Sequence, residues 1–152
     1  MNNGQAAMFH YLARAIIRDG DQVLLAHSRG AKNTFLPGGH IESGEGARQA
    51  LAREVHEELG VEATIGRFIG AVEHAWARGQ THHFEINLVF EVEASELHAA
   101  ATPDVGLEAE PGLEFFWSST QELGAHNLQP APLIDWLNRP DQRSALWGST
   151  IE

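Results

Sequence analysis

The stretch LPGGHIESGEGARQALAREVHEELGV, residues 36–61, decides how this chain folds. Its first half contains a proline and four glycines, which is typical of a loop. Its second half carries apolar residues at positions 47, 51, 55 and 59, and this four-residue spacing predicts an amphipathic helix from about residue 45 to residue 59. Gly60 follows directly, as is typical of a helix C-terminus. The sequence therefore predicts a glycine-rich loop that leads into a helix with one buried side.

Three glutamates share another side of the predicted helix. Glu54, Glu57 and Glu58 are three and four positions apart, so their carboxylates lie on one face and repel one another. A bound cation would remove that repulsion, and oxygen ligands suit hard cations such as Mg²⁺ or Mn²⁺. The loop glycines let the backbone come close without side chains in the way. The pattern predicts a divalent metal site to which a loop carbonyl oxygen also contributes.

Glu45 and Arg53 form a second charged feature of the stretch. Arg53 lies beside the carboxylate face, because one residue step turns a helix by about 100°. From there it can reach back to Glu45, and a bidentate pair between the two would hold the loop against the helix. We expect Arg53 to have a structural role and to make no contact with substrate.

The flanking segments predict one mixed α/β unit. Alternating and apolar runs predict strands at residues 13–18 and 22–27, joined by a tight turn, and a hairpin of strands at residues 64–76 and 82–95. Residues 115–119 predict a short final strand, and residues 131–139 a second helix with a proline near its start. Residues 1–152 are expected to form a single domain, in which residues 138–152 are a C-terminal tail. Trp147 in that tail is expected to pack on the domain or on a partner chain.

Composition narrows the class of protein. A chain of 152 residues with 43% hydrophobic residues fits one globular domain. The sequence contains no cysteine, which excludes disulfides, thiolate metal sites and cysteine nucleophiles, and we expect a cytoplasmic protein. A formal net charge of −11 argues against a protein that coats DNA or an anionic membrane. An acidic site can still bind a polyphosphate when divalent cations lie between the two.

The opening stretch resembles the signature of the Nudix hydrolases at every fixed position. The matching pattern is Gly39-x5-Glu45-x7-Arg53-Glu54-Val55-x-Glu57-Glu58-x-Gly60-Val61. The aliphatic positions of the signature are filled by Val55 and Val61. The signature covers residues 39–61, and a weaker resemblance in the order of strands extends over residues 11–137.

The resemblance implies a fold and a reaction. The fold would be an α/β/α sandwich built on a mixed sheet. The reaction would be hydrolysis of a nucleoside diphosphate linked to another group, with Mg²⁺ or Mn²⁺ as cofactor and Glu54 as a base for the attacking water. The residues that the resemblance places in the active site are the metal ligands Gly38 (through its carbonyl), Glu54, Glu57 and Glu58, and the supporting residues Glu45 and Arg53.

A further carboxylate is expected from a distant loop, as many Nudix sites take one from there. Residues 102–112 carry Asp104, Glu108 and Glu110. We select Glu110 as the metal ligand, with Glu108 as the alternative. A solvated acidic loop explains each of these residues equally well.

Substrate contacts are less strongly indicated. Arg29, Lys32 and His40 are candidates for phosphate contacts, and Trp76 is a candidate for stacking on a base. A solvated surface position is the alternative for the charged residues. Residues 74–79 read HAWARG and lack the markers of the ADP-ribose and diadenosine polyphosphate branches, and the extra motif of the coenzyme A branch is missing upstream. The expected partner is a small nucleotide-like diphosphate, with no DNA or membrane partner, and a homodimer is left open.

Three rival functions use the same fold. A non-catalytic nucleotide-binding or regulatory domain usually lacks one of the signature glutamates, and this chain has all of them. A prenyl diphosphate isomerase depends on a catalytic cysteine, which is absent. RNA decapping normally brings a basic surface or further domains, which a chain of this size and charge does not show. The sequence therefore predicts a metal-dependent hydrolase, with the non-catalytic domain as the alternative.

Overall fold

A computed structural model describes residues 6–100 and 112–152. Within these residues, seven strands and two α-helices follow one another, with one short 3-10 helix at Thr120–Glu122. The strands are β1 (Ala7–Asp19), β2 (Gln22–Ser28), β3 (Gly38–His40), β4 (Thr64–Arg78), β5 (Thr81–Glu93), β6 (Leu113–Ser119) and β7 (Leu146–Ser149), and the helices are α1 (Ala47–Leu59) and α2 (Pro132–Leu137).

The strands form a single mixed sheet in the order β6-β2-β1-β5-β4-β7, with β3 paired to β1. The central pair β1 and β5 is parallel, as is the edge pair β4 and β7, and the remaining neighbours are antiparallel. The long hairpin of β4 and β5 and the central strand β1 therefore form the body of the sheet. The short strand β3 lies beside β1 at the level of Leu12 to Arg14.

Each face of the sheet packs against one helix. Ala15 of β1 belongs to the apolar cluster that includes Val55 of α1. Its neighbour Ile16 points to the other face and belongs to the cluster that includes Trp136 of α2, as the two-residue alternation of a strand requires. Burial of apolar surface on both faces holds the three layers together. The predicted α/β/α sandwich on a mixed sheet is confirmed.

Helix α1 begins two residues later than predicted. Gly46 precedes the helix in an extended conformation, and its backbone N–H donates to the side chain of Gln49 at 2.9 Å. Gly60 ends the helix in the left-handed conformation, with φ of 68°, which a residue without a Cβ adopts at little cost. Glu45 therefore lies in the loop and not in the helix.

The prediction that residues 138–152 form a C-terminal tail is wrong in one respect. Part of this segment forms β7, which adds a strand to the edge of the sheet. The four residues of β7 pair in parallel with β4 from Gly70 to Glu73. A Cβ at Gly148 would collide with the ring of Pro132, so β7 lies directly against the start of α2. Trp147 on this strand is 56% exposed and does not pack into the domain. Its predicted contact with a partner chain stays a prediction.

The first strand is also longer than predicted. β1 starts at Ala7 instead of residue 13, and it pairs in parallel with β5 along this whole extension. The polar residue His10 interrupts the apolar pattern there, which is why the sequence indicated a later start. Among the described residues, no helix is long and apolar enough to cross a membrane.

Candidate active site

The three glutamates of α1 differ in their surroundings. Glu54 and Glu58 are buried, at 8% and 5% exposure, whereas the side chain of Glu57 is 47% exposed. A buried carboxylate loses its hydration and needs a hydrogen-bonding or ionic partner. Part of this need is met by the backbone N–H of Gly38, which lies 3.4 Å from Glu58 Oε2. Glu54 and Glu58 therefore lie against the loop glycines, whereas Glu57 is open to solvent.

The two loop glycines let β3 fit between β1 and α1. Gly38 has a φ of 140°, and a Cβ there would collide with the carbonyl oxygen of Ala13. A Cβ on Gly39 would lie 2.6 Å from the carboxylate carbon of Glu54. The absence of side chains at both positions lets the backbone of β3 lie directly beside the buried carboxylate.

The predicted pair between Arg53 and Glu45 is present and bidentate. Arg53 Nε donates to Glu45 Oε2 at 2.7 Å, and Arg53 Nη2 donates to Glu45 Oε1 at 2.9 Å. Arg53 Nη2 also donates to the backbone oxygen of His40 at 3.1 Å. The guanidinium thus joins α1, the loop before it and β3. The hydrogen bond from Arg53 holds the pKa of Glu45 at about 2.

Arg53 also reaches the carboxylate face, which the sequence did not predict. Its Nη1 lies 3.1 Å from Glu54 Oε1 and 3.3 Å from Glu57 Oε2. One positive charge is therefore shared by the carboxylates of Glu45, Glu54 and Glu57. Arg53 can therefore balance only one of the three negative charges that these carboxylates carry when ionised.

The donor set of this region suits a hard divalent cation. The described side chains that face β3 offer carboxylate oxygens, two of them on buried residues, and the glycine backbone lies against them. In the described part of the chain, no three carboxylate or imidazole side chains are arranged to hold one metal ion. Glu54 and Glu57 are hydrogen-bonded to Arg53 in this structure. Glu110, its alternative Glu108 and the neighbouring Asp104 lie outside the described residues.

A cleft of about 640 Å³ lies on the sheet face opposite α1. Arg14 of β1 connects the cleft to the loop, because its Nη1 donates to the backbone oxygen of Leu36 at 3.1 Å and its guanidinium lies 5.2 Å from the ring centre of Phe35. The residues lining the cleft are Arg14, Ser28, Ala31, Asn33, Phe35, His74, Trp76, Ala77, Arg78, Glu85, Asn87, Gln129 and Pro130.

A hydrogen-bond network fixes the polar side chains on the floor of the cleft. Asn87 is buried, and its amide nitrogen donates to Glu85 Oε1 at 3.1 Å and to the backbone oxygen of Val72 at 3.3 Å. The Asn87 amide oxygen accepts from Arg14 Nε at 3.4 Å. Glu85 Oε2 accepts from the indole N–H of Trp76 at 3.1 Å. These bonds hold Trp76 and Glu85 in fixed orientations at the cleft wall.

The four predicted substrate residues lie in different places. Trp76 lines the cleft and is 39% exposed. Arg29 is 76% exposed and pairs with Glu114 at 3.2 Å, and Lys32 is exposed. Neither cation lines the cleft, although residues beside them in the chain do. His40 is exposed and hydrogen-bonded to another histidine ring across the sheet.

Sequence reasoning missed Arg14, Glu85 and Asn87. Each is a polar residue inside an apolar strand, in the stretches LARAII and FEINLVF. A buried polar group of this kind needs a partner, so the interruption of the apolar pattern was the available signal. The pairing of β1 with β5 brings the three together, although Arg14 and Asn87 are 73 positions apart in the sequence.

Comparison with known sequences gives matches over most of the chain. The family model described as NUDIX domain matches residues 8–137. The chain is 33% identical over 135 residues to a CTP pyrophosphohydrolase of Escherichia coli K12, which covers 84% of this chain and 90% of that protein. It is 30% identical over 69 residues to a putative 8-oxo-dGTP diphosphatase of Bacillus subtilis, covering 45% of this chain and 46% of that protein.

Solved structures with the same arrangement are also found. A MutT protein from Methanosarcina mazei superposes with a TM-score of 0.61 at 27% identity, covering 86% of this chain and 91% of the other. The ORF135 protein of E. coli superposes with a TM-score of 0.56 at 27% identity, covering 85% and 88%.

Proposed function

This chain belongs to the Nudix hydrolase family, and we propose that it is a Mg²⁺- or Mn²⁺-dependent pyrophosphohydrolase of nucleoside triphosphates whose base carries an amino group, with CTP as the first candidate. The main support for a metal-dependent reaction is the position of the buried side chains of Glu54 and Glu58, which lie against the backbone of Gly38 and Gly39 in β3. The 33% identity to a CTP pyrophosphohydrolase over most of both chains supports the nucleotide.

The metal would be held by Glu54, Glu57, Glu58 and the Gly38 carbonyl, with Glu110 as the proposed ligand from the distant loop. When bound, the cation neutralises charge on the phosphates and lowers the pKa of a bound water. Arg53 occupies Glu54 Oε1, so we assign Glu54 Oε2 as the oxygen that accepts the proton of the attacking water. Arg53 and Glu45 hold the loop and the helix in register, because precise placement of the reacting groups supplies much of the rate.

The nucleoside would bind in the cleft beside Arg14. The Arg14 guanidinium lies between the loop that leads to Gly38 and the floor of the cleft. In this position it can bind a phosphate or sugar oxygen of the nucleotide. Trp76 and Phe35 supply aromatic surface for the base. Arg29 and Lys32, which lie outside the cleft, keep their proposed role only for the terminal phosphates.

Glu85 supports a base with an amino group. An ionised carboxylate accepts hydrogen bonds and donates none, and Glu85 is held at the cleft by Trp76 and Asn87. Cytosine presents an amino donor at the position where thymine and uracil present an oxygen acceptor. A fixed acceptor therefore favours cytosine and repels uracil. Adenine also presents an amino group, so ATP is the second candidate.

Glu85→Gln is expected to reduce the preference for CTP over UTP, measured as the ratio of kcat/KM values, by about tenfold. Glutamine has nearly the same shape and can still accept from Trp76, but its amide also donates to the uracil oxygen. Glu93→Gln, at the far end of the same strand and outside the cleft, should leave the ratio unchanged. An unaltered ratio in Glu85→Gln would remove Glu85 from base recognition.

The test of the proposed function is a screen for phosphate and diphosphate release with Mg²⁺ over nucleoside triphosphates, nucleotide sugars, dinucleotides and cofactors. CTP or ATP is expected to be cleaved fastest, and the products should be the nucleoside monophosphate and inorganic diphosphate. Tight binding of a nucleotide without turnover at any metal concentration would instead support the non-catalytic alternative.

A further inference from the structure

Three histidine rings form a hydrogen-bonded row across three strands of the sheet. Nδ1 of His10 on β1 lies 2.9 Å from Nε2 of His40 on β3, and Nε2 of His10 lies 2.8 Å from Nδ1 of His83 on β5. Both ring nitrogens of His10 are therefore used. We call His40, His10 and His83 the histidine row.

The row continues into the wall of the cleft. The ring of His83 stacks on Trp76 of β4, with centroids 3.8 Å apart and an angle of 3° between the planes. Trp76 in turn donates to Glu85. At the other end, the backbone oxygen of His40 accepts from Arg53. The row thus connects the strand that carries Gly38 to the aromatic side chain that lines the cleft.

Core packing does not account for the row. His10 is only half-buried and His40 is exposed, so neither ring is part of the core. Strand β3 is only three residues long, so few backbone hydrogen bonds hold it to β1, and the ring contact between His40 and His10 adds a side-chain link. His83, which is buried, gains a partner for Nδ1 and covers one face of the Trp76 indole.

We infer that His10 and His83 are positioning residues for the two halves of the site. His10 holds β3, and with it the Gly38 carbonyl, at the carboxylates of α1. His83 holds the Trp76 ring in its orientation at the cleft. Neither histidine touches the substrate. The expected changes in kcat and KM rest on the proposed function. The structural basis is independent of it and consists of the ring contacts of His10 and His83.

Substitutions at His83 separate the effect of its hydrogen bond to His10 from the effect of its stacking on Trp76. His83→Asn places an amide oxygen near the position of Nδ1 and keeps an acceptor for His10, but it loses the aromatic stack. His83→Phe keeps a ring on Trp76 and loses the hydrogen bond to His10. We expect His83→Asn to raise KM for the nucleotide about three- to tenfold with kcat nearly unchanged. We expect His83→Phe to lower kcat with KM nearly unchanged.

Substitution of His10 tests the metal side of the row. His10→Ala is expected to lower kcat about tenfold and to weaken Mn²⁺ binding by a similar factor, as removal of a group that orients a metal ligand does. Mn²⁺ binding is measured by electron paramagnetic resonance on the protein without nucleotide. His10→Gln, whose amide can donate and accept, should recover part of both losses. Thermal unfolding of each variant shows that it is folded.

His82→Ala is the matched control. His82 is the neighbour of His83 on β5 and points to the opposite face of the sheet, so its removal should leave kcat, KM and Mn²⁺ affinity at the parent values. Parent values in His10→Ala, or equal losses in His82→Ala, would overturn the inference. If the parent protein hydrolyses no nucleotide but His10→Ala still weakens Mn²⁺ binding, the proposed function fails while the role of His10 stands.

Discussion

Glu57→Gln and Glu58→Gln are each expected to lower kcat by at least about 100-fold while the protein stays folded. Groups that only orient a metal ligand cost about 10- to 100-fold when removed, so loss of a proposed ligand should cost more. Glutamine retains an acceptor for the Gly38 N–H that lies near Glu58 Oε2. Each substitution also removes one negative charge from a crowded set of carboxylates. The resulting loss of repulsion stabilises the folded protein when no metal is bound.

The measurement pairs steady-state kinetics with thermal unfolding in the absence of metal and nucleotide. Glu62→Gln is the matched control, because this glutamate lies just beyond the helix and its side chain is 91% exposed. It should behave as the parent in both measurements. A Glu57→Gln or Glu58→Gln protein that turns over substrate at the parent rate would show that the substituted residue is not a ligand.

Arg53→Ala is expected to lower both the melting temperature and kcat. It removes six hydrogen bonds that join α1, the loop and β3, namely those to both oxygens of Glu45, both oxygens of Glu57, Glu54 Oε1 and the His40 carbonyl. The melting temperature should fall by a few degrees, and kcat by about 10- to 100-fold because the loop is no longer held. Arg53→Lys should recover only part, since a point charge cannot reproduce a bidentate fork.

The pH dependence of the melting temperature is a second test of the role of Arg53. Glu45 has its pKa lowered from 4.5 to about 2, chiefly by the hydrogen bond from Arg53. Its contribution to stability is therefore present above pH 4.5 and is lost as the pH falls through about 2. The difference in melting temperature between parent and Arg53→Ala should be largest above pH 4.5 and shrink toward pH 2. An Arg53→Ala protein that melts like the parent and shows only a raised KM would mean that Arg53 binds substrate.

The parts of the site that depend on local geometry were predictable from the sequence. The period of an α-helix alone places Glu54, Glu57 and Glu58 on one face, and the reach of an arginine explains the pair with Glu45. Gly60 marked the end of α1 because a left-handed residue there favours glycine. The sandwich followed from the family resemblance together with the alternation of the strands.

The parts that depend on strand pairing were not predictable. The contacts of His10 join residues 30 and 73 positions apart, and the pair of Arg29 with Glu114 joins residues 85 positions apart. No local pattern in the sequence specifies the pairing of β1 with β3 and β5, or of β2 with β6, that creates these contacts. β7 was missed for a related reason, because four residues that include Gly148 give too short an alternation to indicate a strand.

The most direct test of a metal-dependent reaction is the rate of nucleotide hydrolysis by metal-stripped protein as Mg²⁺ is added and then removed with excess chelator. The substrate is the best nucleotide of the screen, and products are separated by chromatography. We expect no nucleoside monophosphate without the cation, saturable formation with it, and complete loss on chelation. Hydrolysis at the parent rate in excess chelator would contradict a reaction built on the carboxylates of α1.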